Sequence, residues 1–109
     1  MRRYELNYEE PNMSDITFTV EDSETKGRIV AHVPGYSDTA EITFSKSSPT
    51  LVIVDHTGVP DSLSGQGVGL ALSERMVELA RERGFKTVPL CPFYKAMIAR
   101  HPDWADVVA

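Results

Sequence analysis

Three groups of residues in this sequence have the types and spacing that chemistry needs. A glycine-rich run, SGQGVGLAL at residues 64–72, follows an apolar stretch and leads into an amphipathic segment. Glycines at a helix start expose unpaired N–H groups at the positive end of the helix dipole, which favours binding of a phosphate or pyrophosphate. His56 lies just past the apolar stretch and Cys91 just past a second one. A thiol near an imidazole can be activated as a thiolate, and either group can move a proton.

The elements that must position these groups follow from the hydrophobic pattern. LVIV at 51–54 suits an inner strand covered on both faces, and KTVPL at 86–90 predicts a shorter strand. Residues 67–83 predict a helix, with Ser73 among its polar-face residues and Gly84 as its stop. A helical crossover makes the two strands parallel. Because parallel strands end at one edge of a sheet, we expect the two candidate catalytic residues to lie close together.

The rest of the chain reads as strands first and a short helix last. Alternating apolar residues predict an antiparallel meander with strands at 16–20, 29–33 and 40–44 and turns at 21–27, 34–38 and 45–49. Residues 4–8 also alternate, which predicts either a further strand or a frayed end. A second helix is expected from Pro92 or Phe93 to about Arg100, followed by a closing turn that docks Trp104. The expected fold class is α/β.

Composition limits the function classes. A length of 109 residues predicts one domain spanning residues 1–109, with a single hydrophobic core. The net charge of -5 argues against a nucleic-acid binder, and no apolar run reaches the ~20 residues that span a bilayer. The single cysteine forms no internal disulfide and the first residues lack a secretory pattern, so we expect a cytoplasmic protein. The sequence contains no cluster of metal-ligating residues at a suitable spacing, so we expect no metal site.

Four motifs together resemble a known family. They are VDHTGVP at 54–60, GQGVG at 65–69, VPLCPF at 88–93 and RHPDW at 100–104. With the order of predicted elements, they are similar to the compact, single-domain proteins of the GNAT acetyltransferase superfamily. The resemblance implies a GNAT-like mixed sheet with two main helices. It also implies acetyl-CoA as co-substrate, held where two parallel strands splay apart, a geometry that suits Pro89 because it cannot donate a ladder hydrogen bond.

The resemblance implies site residues as well. The family's pyrophosphate pattern, Gln/Arg-x-x-Gly-x-Gly/Ala, starts here at Ser64 in place of the usual Gln or Arg. The implied cofactor-binding residues are Ser64, Gly65, Gln66, Gly67, Val68, Gly69 and Leu70. Lys95 and Arg100 are further candidates for the cofactor's phosphates, although ordinary solvated charges would look the same. The bland alternative for the glycines is a tight turn with close packing of helix on sheet.

Two reaction schemes are open for the implied catalytic residues, Cys91 and His56. In direct transfer, ranked first, an acceptor amine attacks the thioester while His56 takes its proton; in the other scheme Cys91 is acetylated first. The family's usual acid, a tyrosine on the last helix, is replaced by Ile98, and Tyr94 lies one turn earlier. Cys91 could instead be a buried apolar residue, and His56 could order the following turn.

Other classes of function also remain open. A non-catalytic CoA-binding or sensing module would keep the glycine loop without a competent acid and base. An interaction protein would keep only the fold, since fold does not determine function. The sequence leaves the identity of the acceptor and the oligomeric state undetermined.

Overall fold

Five strands, hydrogen-bonded in chain order, form one mixed sheet. The structure is a computed structural model and describes residues 15–109. Strands β1 to β4 are antiparallel neighbours, whereas β4 and β5 are parallel. The expected α/β class and mixed sheet are confirmed; the possible strand at residues 4–8 lies outside the described residues. The strands are β1 (Thr17–Asp22), β2 (Lys26–His32), β3 (Thr39–Ser48), β4 (Leu51–Gly58) and β5 (Lys86–Pro89).

Two α-helices and two 3-10 helices complete the described part. Helix α1 spans Val68–Arg83 and ends at Gly84, whose φ of 77° is the left-handed value that glycine adopts without strain. Helix α2 spans Pro92–Arg100 and begins with a proline, whose missing N–H costs nothing in the first turn. The 3-10 helices span Asp61–Leu63 and Pro102–Val107. Both α-helices were predicted within one residue of these bounds.

The described helices cover one face of the sheet, here called the helix face. Its core includes Ile29, Ile42, Phe44, Val52 and Val54, all at most 2% exposed. The opposite face, here called the open face, is mostly polar. On β4 the residues alternate accordingly, and those between the buried valines are only half-buried. Within residues 15–109, helices therefore cover the 51–54 strand on one face, whereas the sequence predicted cover on both.

Three further expectations need correction. Strand β3 continues through Ser48, so the predicted turn at 45–49 shrinks to Pro49 and Thr50. Strand β4 runs on to Gly58 because its pairing with β3 continues well past the apolar run. Ser73, expected on the polar face of α1, is 0% exposed, because the covered side of α1 is wider than one apolar stripe.

Side-chain contacts join the end of the chain and α1 to the sheet. Trp104 is buried, as expected, and its ring stacks on His101 with centroids 4.0 Å apart. Asp22 pairs with Lys46 at 2.6 Å and with Arg83 at 2.7 Å, and their hydrogen bonds hold the pKa of that carboxyl below its usual value. No helix within residues 15–109 is long and apolar enough to span a membrane.

Candidate acyl-transfer site at the β4–β5 gap

The glycine loop leads directly into α1. Gly65 and Gly67 have φ values of 78° and 75°, in the left-handed region that favours glycine. Gly67 is the N-cap of α1, and no side chain caps the helix start. The Gly67 carbonyl accepts the Ala71 N–H, as in a regular first turn. The first N–H groups of α1 are consequently available to an anion.

A groove of about 390 Å³ runs between this loop and α2. Six of the seven predicted cofactor-binding residues line it; Gln66 does not, and its Nε2 instead donates to the Tyr36 hydroxyl at 2.9 Å. The Ser64 hydroxyl is used within the loop, where it donates to the Asp61 carbonyl at 2.9 Å. The other groove residues are Val59, Leu63, Phe93, Met97 and Arg100.

The glycines of the loop serve different purposes. A Cβ on Gly69 would lie 2.6 Å from the ring of Phe93, so this glycine permits close packing of α1 against α2. A Cβ on Gly65 would meet no atom within 4 Å, so packing does not explain that glycine. The packing alternative therefore accounts for Gly69 and not for Gly65.

Strands β4 and β5 part after a short paired stretch. Their paired residues stop at Val54 and Pro89, while β4 continues for four residues beside β3. Leu90 turns out of the ladder: its N–H donates to the Val88 carbonyl, and its side chain is 66% exposed. The Cys91 N–H then donates to the Val54 carbonyl at 2.8 Å, the last backbone contact between the two chain segments on this side. Beyond it, the β4 edge from Asp55 to Gly58 has no β5 partner.

A β-bulge lies at the start of this unpaired segment. Thr43 pairs with His56 and the next residue, Phe44, pairs with Val54, which leaves Asp55 as an extra residue in β4. Such a bulge puts two consecutive side chains on the same face of a sheet. Asp55 and His56 both lie on the open face, and the Ser45 hydroxyl donates to Asp55 Oδ2 at 2.7 Å.

Cys91 lies on the other face. Its side chain is buried, and its Sγ is 3.4 Å from the Thr57 hydroxyl, which is on the helix face opposite Ile42. His56 is exposed. The two predicted catalytic residues thus flank the same end of the gap, as expected from the parallel strands, but they approach it from opposite faces of the sheet. No contact joins them, so mutual activation of thiol and imidazole has no support in this arrangement.

Tyr94 is directed away from the gap. Its hydroxyl lies 3.0 Å from Thr87 Oγ1 in the core, and Thr87 also donates to the Val107 carbonyl. Burial raises the pKa of the Tyr94 phenol. Tyr94 could replace the family's usual acid only if its hydroxyl reached the thioester. Because that hydroxyl is bound in the core, Tyr94 does not fill this role in the structure.

The spacing of residues on α2 indicates which of its side chains line the groove. Phe93, Met97 and Arg100 share one side of α2 at spacings of four and three, which distinguishes Arg100 from Lys95, whose side chain does not line the groove. Thr57 and Asp55 have no comparable signal, because the bulge that decides their faces depends on pairing with a distant strand.

Comparison with known proteins agrees with this geometry. The profile of the GCN5-related N-acetyl-transferase family matches residues 28–107. The chain belongs to this family. A GCN5-like protein from Staphylococcus aureus, solved by solution NMR, is 33% identical and superposes with a TM-score of 0.59, covering 84% of this chain and 87% of its own. No curated protein matches the sequence.

Membership in the GCN5-related N-acetyl-transferase family confirms the resemblance drawn from the four motifs. Family and fold together support acetyl transfer as the general activity of the chain. The matched residues include the glycine loop, the β4 bulge and Cys91, so all parts of the candidate site lie inside the family domain.

Proposed function

We propose that this protein binds acetyl-CoA at the β4–β5 gap and transfers the acetyl group to an amine. The pyrophosphate would lie on the glycine loop, near the exposed N–H groups of α1 and the Arg100 guanidinium. The pantetheine arm would follow the groove to the unpaired edge of β4. The observation that supports the proposal is a groove that extends from the glycine loop at the start of α1 to Val59, directly after β4, whose last residues have no β5 partner.

The reaction requires one proton to be removed before the bond-forming step. An acceptor ammonium would give its first proton to His56, which passes it to solvent, and the neutral nitrogen would then attack the thioester carbon. The C–N bond forms and the C–S bond breaks, and its electron pair leaves on the CoA sulfur. That sulfur takes up one proton, and the nitrogen releases its second proton to solvent. N–H groups at the β4 edge would stabilise the oxyanion.

Cys91 has two possible roles in this scheme. In direct transfer, its thiol protonates the departing CoA sulfur from the helix face and regains a proton from solvent. In the two-step alternative, its sulfur carries the acetyl group between CoA and amine. Both roles need a free thiol, which fits the predicted cytoplasmic location. Incubation with acetyl-CoA but no amine, followed by intact-mass measurement, separates the two, because only the second leaves an acetylated protein.

A non-catalytic acetyl-CoA-binding module is the second candidate. It is favoured by the position of Tyr94, whose hydroxyl is bound in the core instead of at the gap. Such a module would use the same groove and loop but would release no CoA in the presence of amines.

Two measurements test the proposal. Thermal unfolding with and without acetyl-CoA should show a rise in Tm, because a ligand that binds only the native state stabilises it by RT ln(1 + [L]/Kd). Release of free CoA thiol should then be followed across small alkylamines, polyamines and lysine peptides. No thermal shift at high acetyl-CoA concentration would contradict cofactor binding, and a shift without thiol release from any amine would favour the binding module.

A further inference from the structure

The bulge in β4 places a carboxylate beside the candidate base. In a regular strand Asp55 and His56 would lie on opposite faces, but here the extra residue turns both onto the open face. They lie at the first residues of β4 that have no β5 partner, where the acetyl group would be presented.

Asp55 is held in place by a neutral hydroxyl group. Its side chain is half-buried, and Ser45 donates to one carboxylate oxygen, Oδ2. No lysine or arginine within residues 15–109 forms an ion pair with Asp55. A neutral hydroxyl fixes the orientation of the carboxylate and leaves Oδ1 with its capacity to accept a hydrogen bond.

The other carboxylates around it differ in this respect. Glu21 and Glu41 both pair with Arg28, at 2.9 and 2.7 Å. Asp22 pairs with two cations of its own, Lys46 and Arg83. These groups are joined in structural ion pairs, so they are poorly suited to receive a further cation. Of these four carboxylates, Asp55 is the one that forms no ion pair with a lysine or arginine of residues 15–109.

A groove gives access to Asp55. It has a volume of about 520 Å³ and runs from Asp55 across β3, past Thr43 and Ser45, to Arg28 and Glu21 on the outer strands. Residues facing the open side of the sheet form most of its walls. The groove of the glycine loop lies on the helix face instead. A ligand in one groove therefore leaves the other free.

We propose that Asp55 is the acceptor-binding residue, and that its carboxylate selects acceptors bearing an alkylammonium group that enter across the open face. Primary alkylamines resemble the lysine side chain, with a pKa of about 10.4, and so arrive protonated at neutral pH. An ammonium held by Asp55 lies next to the His56 imidazole, which takes the proton before attack. This inference rests on the proposed function for its reaction, but binding of the ammonium can be observed without any reaction.

The experiment is an NMR titration of backbone amides in the full-length protein. The probes, in separate titrations, are n-butylammonium, its uncharged analogue butanol, and acetyl-CoA. Asp55→Asn keeps an oxygen for the Ser45 hydroxyl but removes the charge, and Ser45→Ala keeps the charge but releases the carboxylate. Glu74→Gln is the matched control, since Glu74 is exposed on α1 and its substitution removes the same single negative charge.

We expect n-butylammonium to shift the amides of residues 43–45 and 55–57, and butanol to leave them in place. Because a hydrogen bond to a charged group is worth about 1.5–3 kcal/mol, Asp55→Asn should weaken binding at least about tenfold. Ser45→Ala should weaken it by about two- to threefold, and Glu74→Gln should not change it. If the protein turns over, Asp55→Asn should raise the KM for alkylamines and leave the KM for acetyl-CoA unchanged.

Three results would overturn the inference. The first is that n-butylammonium shifts amide signals of the unaltered protein only at residues away from Asp55. The second is that butanol shifts the same amide signals equally. The third is that a folded Asp55→Asn variant binds n-butylammonium with unchanged affinity. The first two need no variant, so they hold even if the substitution prevents folding. Failure of the proposed function is seen separately, as an absence of acetyl-CoA shifts at residues 64–70 while the ammonium still binds at Asp55.

Discussion

The glycine loop and the β4 bulge reach the same gap from opposite faces of the sheet, and they are built from different groups. The loop offers backbone N–H groups and open space, with Arg100 as the charged side chain in its groove. The bulge offers side chains, Asp55 and His56, turned to one face by an extra residue. The loop is therefore suited to binding an anion, and the bulge to binding and moving a proton.

This difference separates affinity from rate. If the proposed site is right, substitutions in the loop should change the affinity for acetyl-CoA, because they would alter the space and charge around its phosphates. Substitutions on the bulge should change the rate or the use of the amine, because their side chains would meet the acceptor. A loop variant that changes only the rate, or a bulge variant that changes the affinity for acetyl-CoA, would contradict this difference.

The largest expected effect is that of His56→Gln on the rate. Removal of a general base costs typically a factor of 10² to 10⁴, so kcat should fall by about that range, while the Kd for acetyl-CoA stays unchanged. Steady-state thiol release and isothermal titration measure the two quantities. His32→Gln is the control, because His32 is exposed on the same face and its imidazole is hydrogen-bonded to the Thr19 hydroxyl. An equal loss in His32→Gln, or none in His56→Gln, would end the assignment of the base.

Next is Gly67→Glu, which should affect affinity. The new side chain would force φ near 75° on a residue that resists it and would bring a carboxylate to the phosphates. Affinity for acetyl-CoA should fall by at least about tenfold in titration calorimetry. The control is Thr50→Glu, with the same added charge in the exposed β3–β4 turn at the far end of the sheet. A folded Gly67→Glu variant with normal affinity would remove the loop from the cofactor site.

The same difference explains how much of the molecule could be predicted. The order of the elements, the parallel strand pair and both α-helices follow from local pattern, because the apolar period and stop residues such as Gly84 act within a few positions. The loop was predicted for the same reason. The covering of the sheet was not, since the apolar run at 51–54 gives no indication that the described helices lie on one face only.

The positions of the side chains at the β4 bulge could not be predicted, because they depend on how β4 pairs with β3. The sequence places His56 and Cys91 at the same edge, but the single extra residue in β4 decides that they lie on opposite faces. Tyr94 shows the same limit. Its distance from the family's usual tyrosine position could be counted, but the direction of its hydroxyl is set by Thr87 in β5.

A smaller effect on affinity is expected from Arg100→Gln. Arg100 lines the loop groove near the end of α2, but it is exposed, so solvent and salt weaken its attraction for phosphate. The Kd for acetyl-CoA should rise by about threefold at low salt, and by less at high salt. Lys95→Gln, on the same helix but outside the groove, should have no effect. Equal effects of the two substitutions would indicate a general influence of charge.

The smallest effect on activity is expected from Tyr94→Phe, which tests whether the gap works without the tyrosine acid of its family. The Tyr94 hydroxyl lies 3.0 Å from Thr87 Oγ1 in the core, and Thr87 keeps its bond to the Val107 carbonyl when that hydroxyl is removed. The free energy of unfolding should fall by about 1 kcal/mol, the usual net contribution of a hydrogen bond. The rate of acetyl transfer should stay within about twofold.

The control for this substitution is Tyr36→Phe, which removes an exposed hydroxyl that accepts from Gln66 and should cost less stability. Chemical denaturation gives the stability of both variants, and thiol release gives their rates. A loss of rate in Tyr94→Phe beyond about tenfold would mean that the phenol reaches the thioester in the working protein. An unchanged rate leaves Cys91, on the helix face, as the protein's own thiol placed to protonate the CoA sulfur, because the His56 imidazole lies on the other side of the sheet.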